Sequence, residues 1–281
     1  MFERFSRSWS LVKASSAVLS ANKRLMVFPV LSSVCTLIVA ASFLVPAFAS
    51  GMLTHMDRGH MTPGMAVLAF LFYLVQYFVI IFFNSALVGA ASIHLRGGNP
   101  TVSDGFGIAI SKLPTIFGYA VISATVGMVL RAIQERAGFI GRWVVGLLGV
   151  AWTLATFLVV PVMVNQEIGP FDAVKRSAEL LKRTWGENLI GNAGIGLAFG
   201  LLTMLVVFAG AALVFLAVST HSTSVIVVVV GLCVLTMLVL AVIQSALHGI
   251  YAAALYRYAE EGDAGVGFDK ILVADAFKIK A

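Results

Sequence analysis

Six long stretches of the chain are apolar almost without interruption, and the polar residues gather between them. The stretches are Leu25–Ser50, Gly64–Leu95, Leu113–Leu130, Trp143–Val164, Leu189–Val218 and Thr223–Tyr256. A hydrocarbon core about 30 Å thick takes about 20 apolar helical residues to cross, so each stretch predicts a transmembrane helix. Several exceed about 25 residues, which predicts tilt, kinks or ends that project into the headgroups. Pro46 and Pro161 fall near span ends, where a missing backbone donor does least harm.

The segments ahead of alternate spans carry a second pattern. Phe2, Phe5, Trp9, Val12 and Leu19 recur at helical spacing, with Arg4 and Arg7 on the opposite side. That describes a helix lying in the headgroup plane. Before the fifth span, Phe171, Val174, Ala178, Leu181 and Trp185 form a sharper stripe, with Lys175, Arg176, Glu179, Lys182 and Arg183 on the other faces. Asp172 stands near its start, where a carboxylate suits the helix dipole. Residues 101–112 form a weaker version, with Ser103 or Asp104 as its cap. A further trace of repetition pairs Asn84-Ser85-Ala86-Leu87-Val88-Gly89 with Gln244-Ser245-Ala246-Leu247-His248-Gly249. Each places a small residue four positions before a glycine, a spacing that lets helices approach closely in lipid.

The predicted fold is therefore an all-α integral membrane protein. Six transmembrane helices form three hairpin units, each preceded by a cytoplasmic amphipathic helix. Residues 1–24 are an interfacial helix, 25–256 the membrane domain with amphipathic helices near 101–112 and 171–186, and 257–281 a short cytoplasmic tail. In that tail, Phe268, Ile271, Leu272, Ala276 and Phe277 suit a short helix docking on the bundle or the membrane. The basic start followed by Ala47-Phe48-Ala49 imitates a signal peptide, but the first apolar run is too long, and it is read as a retained anchor.

Charge sets the orientation. Of the 19 Lys and Arg residues, all but Arg58, Arg131, Arg136 and Arg142 fall on the side that holds both termini. That bias predicts cytoplasmic termini in a bacterial inner membrane. Only 11% of residues are charged, against about 25% in soluble domains. The net charge of +6 is spread along span ends, which points to anionic lipid headgroups and not to nucleic acid. Cys35 and Cys233 lie inside apolar runs and read as small buried hydrophobes without a disulfide.

The opening Arg4-Phe5-Ser6-Arg7-Ser8-Trp9-Ser10-Leu11-Val12-Lys13, running into Leu25-Met26-Val27-Phe28-Pro29, resembles the start of an uncharacterised bacterial family of six-span membrane proteins. The stretch from Pro161 to Trp185, with Glu167, Lys175-Arg176-Ser177 and Trp185, is similar to the same family. The plan of lead-in helix and hairpin also resembles, distantly, the membrane domain of some glycerophosphodiester phosphodiesterases. Neither resemblance implies a catalytic residue.

Candidate chemistry is sparse. Asp, Glu, Lys and Arg are missing from the middle of every span, which argues against proton- or ion-coupled transport. Gln76, Asn84, Ser85, Gln244, Ser245 and His248 are the notable intramembrane polar residues, read as interhelical hydrogen-bonding groups or the lining of a small polar cavity. Ser245 and His248 share a helix face but have no orienting acid, so a hydrolase is not indicated. Glu167 is read as a solvated carboxylate at the headgroup level or as a partner for Arg176 or Lys175. In the first outward loop, His55, Met56, His60 and Met61 are ligand types that suit Cu(I), but their spacing reads as a plain interfacial loop. No HExxH, paired CxxC or nucleotide-binding fingerprint occurs.

These features predict a non-enzymatic protein without a cofactor that binds or organises membrane lipids, a partner membrane protein or a second copy of itself. Phe5, Trp9, Arg4, Arg7, Trp185, Lys182 and Arg183 are the expected membrane-interface contacts. The alternative is an uncoupled channel or transporter for a small neutral or lipid-like solute. A water-lined path through Gln76, Asn84 and Gln244 would favour transport; a dry core with a lateral groove would favour lipid or partner binding.

Overall fold

The computed structural model describes residues 13–50, 63–184, 189–220 and 222–268, and of residues 183–184, 189–199 and 201 the backbone alone. Among these the fold is all-α. Helix α1 covers 13–21, and a 3-10 turn, Lys23–Met26, leads into α2, Val27–Ala49. Then come α3 (Pro63–Leu95), α4 (Val102–Ser111), α5 (Leu113–Arg136) and α6 (Phe139–Ala155). The chain continues with α7 (Val159–Asn165), α8 (Pro170–Thr184), α9 (Leu189–Ser219) and α10 (Thr223–Glu261). Six segments are long and apolar enough to cross a membrane, one being the consecutive pair α6 and α7. Phe5, Trp9, Arg4, Arg7, Trp185, His55, Met56, His60 and Met61 lie outside the described residues, as does the tail beyond Phe268.

Boundaries differ from the sequence prediction in instructive ways. The third span runs to Arg136, because Arg131 is satisfied at the helix end by Glu135 Oε1 at 2.9 Å and by the Tyr73 hydroxyl at 2.6 Å. The sixth runs to Glu261, with Arg257 bonded to Glu261 one turn on and Gly262 ending the helix in the left-handed region at φ 71°. The fourth is not one helix but two, interrupted at Thr156–Leu158. Pro161 causes the interruption: it lacks an N–H, and its ring excludes the carbonyl four residues earlier, that of Phe157. A proline near a span end thus acts one turn deeper than its own position.

The cap of α4 is Thr101, not Ser103 or Asp104. The Thr101 hydroxyl accepts the Asp104 N–H at 3.2 Å, and the Asp104 carboxylate accepts the Thr101 N–H at 2.8 Å. This reciprocal pair satisfies two otherwise unpaired donors.

The packing is lopsided. Buried residues cluster at the end of the bundle that carries Arg96, Lys112, Arg176 and Arg257, here termed the charged end. They include Leu25 in the 3-10 turn and Phe28 at the start of α2, Ser85–Ala91 late in α3, Ile116, Tyr119, Ala120, Ser123 and Ala124 early in α5, Val159–Val164 of α7, and Ala246–Tyr256 apart from His248 late in α10. Away from that end the helices bare their apolar sides: Phe48 is 79% exposed, Leu147 68% and Val227 65%. In lipid such surfaces need no protein partner, so the helices are free to splay.

Close approach at the charged end depends on small residues. Ala86, Ala90, Ala91, Ala246, Ala252, Ala253 and Ala254 are all buried along α3 and α10. The two similar motifs meet one another. A Cβ on Gly249 would stand 2.5 Å from Leu87 Cδ2 and 3.2 Å from Asn84 Oδ1. Helix α4 crosses α3 at a second such point, where a Cβ on Gly105 would stand 2.7 Å from the Ala86 carbonyl oxygen and strike the Phe28 ring. After α10, residues 262–268 fold back: Val266 N–H donates to the Leu95 carbonyl at 3.0 Å, and Ala264 and Phe268 are buried.

Candidate functional site

Two helix faces and the break between α6 and α7 define the most distinctive feature of the surface. On α6, Leu147, Val150, Ala151, Leu154 and Ala155 recur at intervals of three, one, three and one, so they share a face. On α8, Ala178, Leu181 and Lys182 do the same. These eight side chains line an open groove of about 510 Å³ between the two helices. That volume falls in the usual range for small-molecule sites. Three of the lining residues are alanine, and the volume that larger side chains would fill is left open.

The break holds the groove's walls together. Leu158 has no helical acceptor for its N–H, which donates instead to Ser177 Oγ of α8 at 3.0 Å; both residues are fully buried. An unmet N–H in the hydrocarbon would cost several kcal/mol, so α8 supplies what the interrupted helix lost. The face that α8 turns to the bundle is Ala173, Ser177 and Leu180, all fully buried. The apolar stripe read from the sequence therefore needs correction in part: Phe171 is 74% exposed, Val174 and Ala178 are half-buried, and Leu181 is buried as expected. Small side chains decide this, because α8 can nestle against the bundle only on the side where Ala173 and Ser177 permit close contact. At its start, Pro170 seats against α5, where a Cβ on Gly118 would come within 2.8 Å of the Pro170 ring.

A polar network fixes α8 at the charged end. Arg176 reaches both Glu260 oxygens, at 2.7 and 3.0 Å through Nη2, and Gln166 Nε2 donates to Glu260 at 2.9 Å and to the Tyr256 hydroxyl at 3.0 Å. Its hydrogen bonds to Glu260 raise the Arg176 pKa above its ordinary value, so the guanidinium stays charged. Glu167 does not pair with Arg176 or Lys175. It accepts from Lys112 at 2.6 Å, and the same ammonium donates to the Gln166 carbonyl at 3.0 Å. Lys112 thus sits at the C-terminal end of α7, where the helix dipole favours a cation. Arg257 plays the matching part for α3, donating to the Leu95 carbonyl.

The intramembrane polar residues do not converge. Gln76 Nε2 donates to the Thr36 carbonyl at 3.1 Å, tying α3 to α2. Asn84 lies over Gly249, and Ser85 is buried without a hydrogen-bond partner among the described residues. Gln244 is half-buried, whereas Ser245 and His248 are exposed on α10, the His248 ring edge-on to Phe157 at 5.0 Å. No group of three or more His, Cys, Asp or Glu residues capable of holding a metal occurs among the described residues. Cys35 and Cys233 are free and half-buried; Cys233 faces the Gly210 carbonyl. Lys182 is exposed at the groove, while the Arg183 side chain lies outside the described residues.

The groove wall on α6 escaped the sequence reading because apolar residues in a lipid-facing helix look alike whether they meet lipid freely or line a recess. Pro161 was the available signal: counting four residues back from it locates the break that brings Ser177 and α8 alongside.

A family of unknown function (DUF6159) matches residues 62–268, which is most of the chain. The chain belongs to this family. The matched region includes the Pro161–Trp185 stretch and the whole of the groove, and it ends at the buried Phe268. No curated protein matches the sequence. Membership carries no assigned activity, so function has to be argued from the site.

Proposed function

We propose that the protein is a non-enzymatic lipid-binding protein of the bacterial cytoplasmic membrane, with both termini in the cytoplasm. The groove between α6 and α8 carries this reading: it is open and apolar, and Lys182 is the one cation among its lining residues. In a bilayer an apolar lateral recess is filled by an acyl chain, and a lysine beside it reaches the headgroup level. The Lys and Arg bias supports a cytoplasmic position for the charged end, from which α8, held there by Arg176 and Glu260, runs on to Lys182.

The fate of the polar residues supports lipid binding over transport. Gln76 is tied to Thr36 and Asn84 packs over Gly249, so both serve contact between helices instead of bordering a path.

Native mass spectrometry of the protein released gently from its own membrane tests this. We expect a lipid of defined mass on the wild-type chain, and loss of that lipid in Ala151→Trp, whose exposed position admits the larger ring without disturbing the core. A wild-type protein that emerges bare, or a variant that keeps the lipid unchanged, would sink the reading.

A further inference from the structure

The groove's walls are apolar, but its rim is not neutral. Lys182 lines the groove, and Lys175 stands two turns earlier on the same side of α8, about 10 Å along the axis. Both are exposed.

Most acidic side chains described at this end are engaged elsewhere. Glu260 is held by Arg176 at 2.7 Å, and Glu179 lies 3.6 Å from the same guanidinium. Glu167 is held by Lys112 at 2.6 Å, while Glu261 and Asp263 lie 3.0 and 3.5 Å from Arg257. Asp104 is committed to the cap on Thr101, and Asp172, exposed in the first turn of α8, lies one turn from Lys175 and about 15 Å along the axis from Lys182. Among the described residues, no carboxylate forms an ion pair with Lys175 or Lys182.

An apolar recess with Lys182 at its mouth and Lys175 two turns along the same helix suits an amphiphile with an anionic head. A zwitterionic headgroup would bring an ammonium to Lys182, with which no described carboxylate forms an ion pair. An anionic headgroup meets complementary charge there, so the geometry discriminates by repulsion as well as attraction.

We propose that the groove selects an anionic glycerophospholipid from the cytoplasmic leaflet. Its acyl chain lies against Ala151, Ala155 and Ala178, its phosphate stands at Lys182, and Lys175 reinforces the field. This inference rests on the lipid-binding reading above and adds the class of lipid.

The test uses the full chain in detergent, offered equimolar phosphatidylglycerol and phosphatidylcholine, with the retained lipid weighed by native mass spectrometry. We expect phosphatidylglycerol to dominate. Lys182→Gln should lower that preference about fivefold, as expected for one lysine near an anionic headgroup, while leaving lipid retained. Lys175→Gln should lower it less. Lys23→Gln, an exposed cation at the same end but on the turn before α2, should leave the preference unchanged.

Equal retention of the two lipids by the wild type would overturn the headgroup assignment and leave the groove reading standing. So would a fall in Lys23→Gln as large as in Lys182→Gln, because attraction would then be diffuse over the basic face. A wild type that retains no lipid, or a dimer that forms in place of lipid, would overturn both.

Discussion

Ser177 Oγ lies 3.0 Å from the backbone nitrogen of Leu158, and the two residues, nineteen positions apart, are fully buried. One hydroxyl on a short helix thereby completes the hydrogen bonding of a broken transmembrane span. Ser177→Ala should leave that N–H unmet and cost about 1–3 kcal/mol. The measurable signs are a lower apparent melting temperature in detergent and faster hydrogen exchange at residues 157–159. Unchanged exchange there would mean that the hydroxyl is dispensable.

The contact between α3 and α10 depends on Gly249. Gly249→Val should force Leu87 and Asn84 apart and destabilise the protein by about 1–3 kcal/mol, the usual range for an overpacked site. Gly231→Val, also on α10 but with no atom within 4 Å of the added Cβ, should be nearly neutral. Equal effects in thermal unfolding would contradict the close packing described.

Arg176 and Glu260 are each about a quarter exposed, 28% and 23% by side chain, and their contact is bidentate. A double-mutant cycle with Arg176→Met and Glu260→Gln should give a coupling of about 1 kcal/mol, at the upper end for ion pairs in contact with water. The pair Arg131–Glu135, with both side chains more than half exposed, should give less. A reversed order would show that the charged-end network does not anchor α8.

Asp104 provides a pH test outside the membrane. Hydrogen bonds from the Thr101 backbone, and then from its side chain, hold the carboxyl below its ordinary pKa. A lowered folded-state pKa means that the contribution is fully present above the unfolded pKa and is lost as pH falls through the folded one. The helix α4 cap should therefore weaken on acidification below the usual aspartate range, and Asp104→Asn should remove that acid-dependent part. Hydrogen exchange at Thr101 and Asp104 followed across this range would register the change; a profile identical in the variant would exclude the cap as its source.

The sequence by itself determined the class of molecule and where most of its spans lie. Runs of about 20 apolar residues cannot be hydrated cheaply, so their number and approximate ends follow from composition along the chain alone.

What tertiary structure decided is how those helices meet. Which face of α8 is buried depends on fit against α5, α7 and α10, where Ala173 and Ser177 are fully buried and Phe171 is left exposed. The partner of Glu167 depends on which cation the fold delivers to the end of α7, and it delivers Lys112 from 55 positions away. The groove arises only because Pro161 breaks one span at Phe157 and α8 closes the gap with Ser177. Hydrophobicity is a property of single residues and can be read in order. Close packing and hydrogen-bond pairing are properties of residues distant in sequence, and they exist only once the chain has folded.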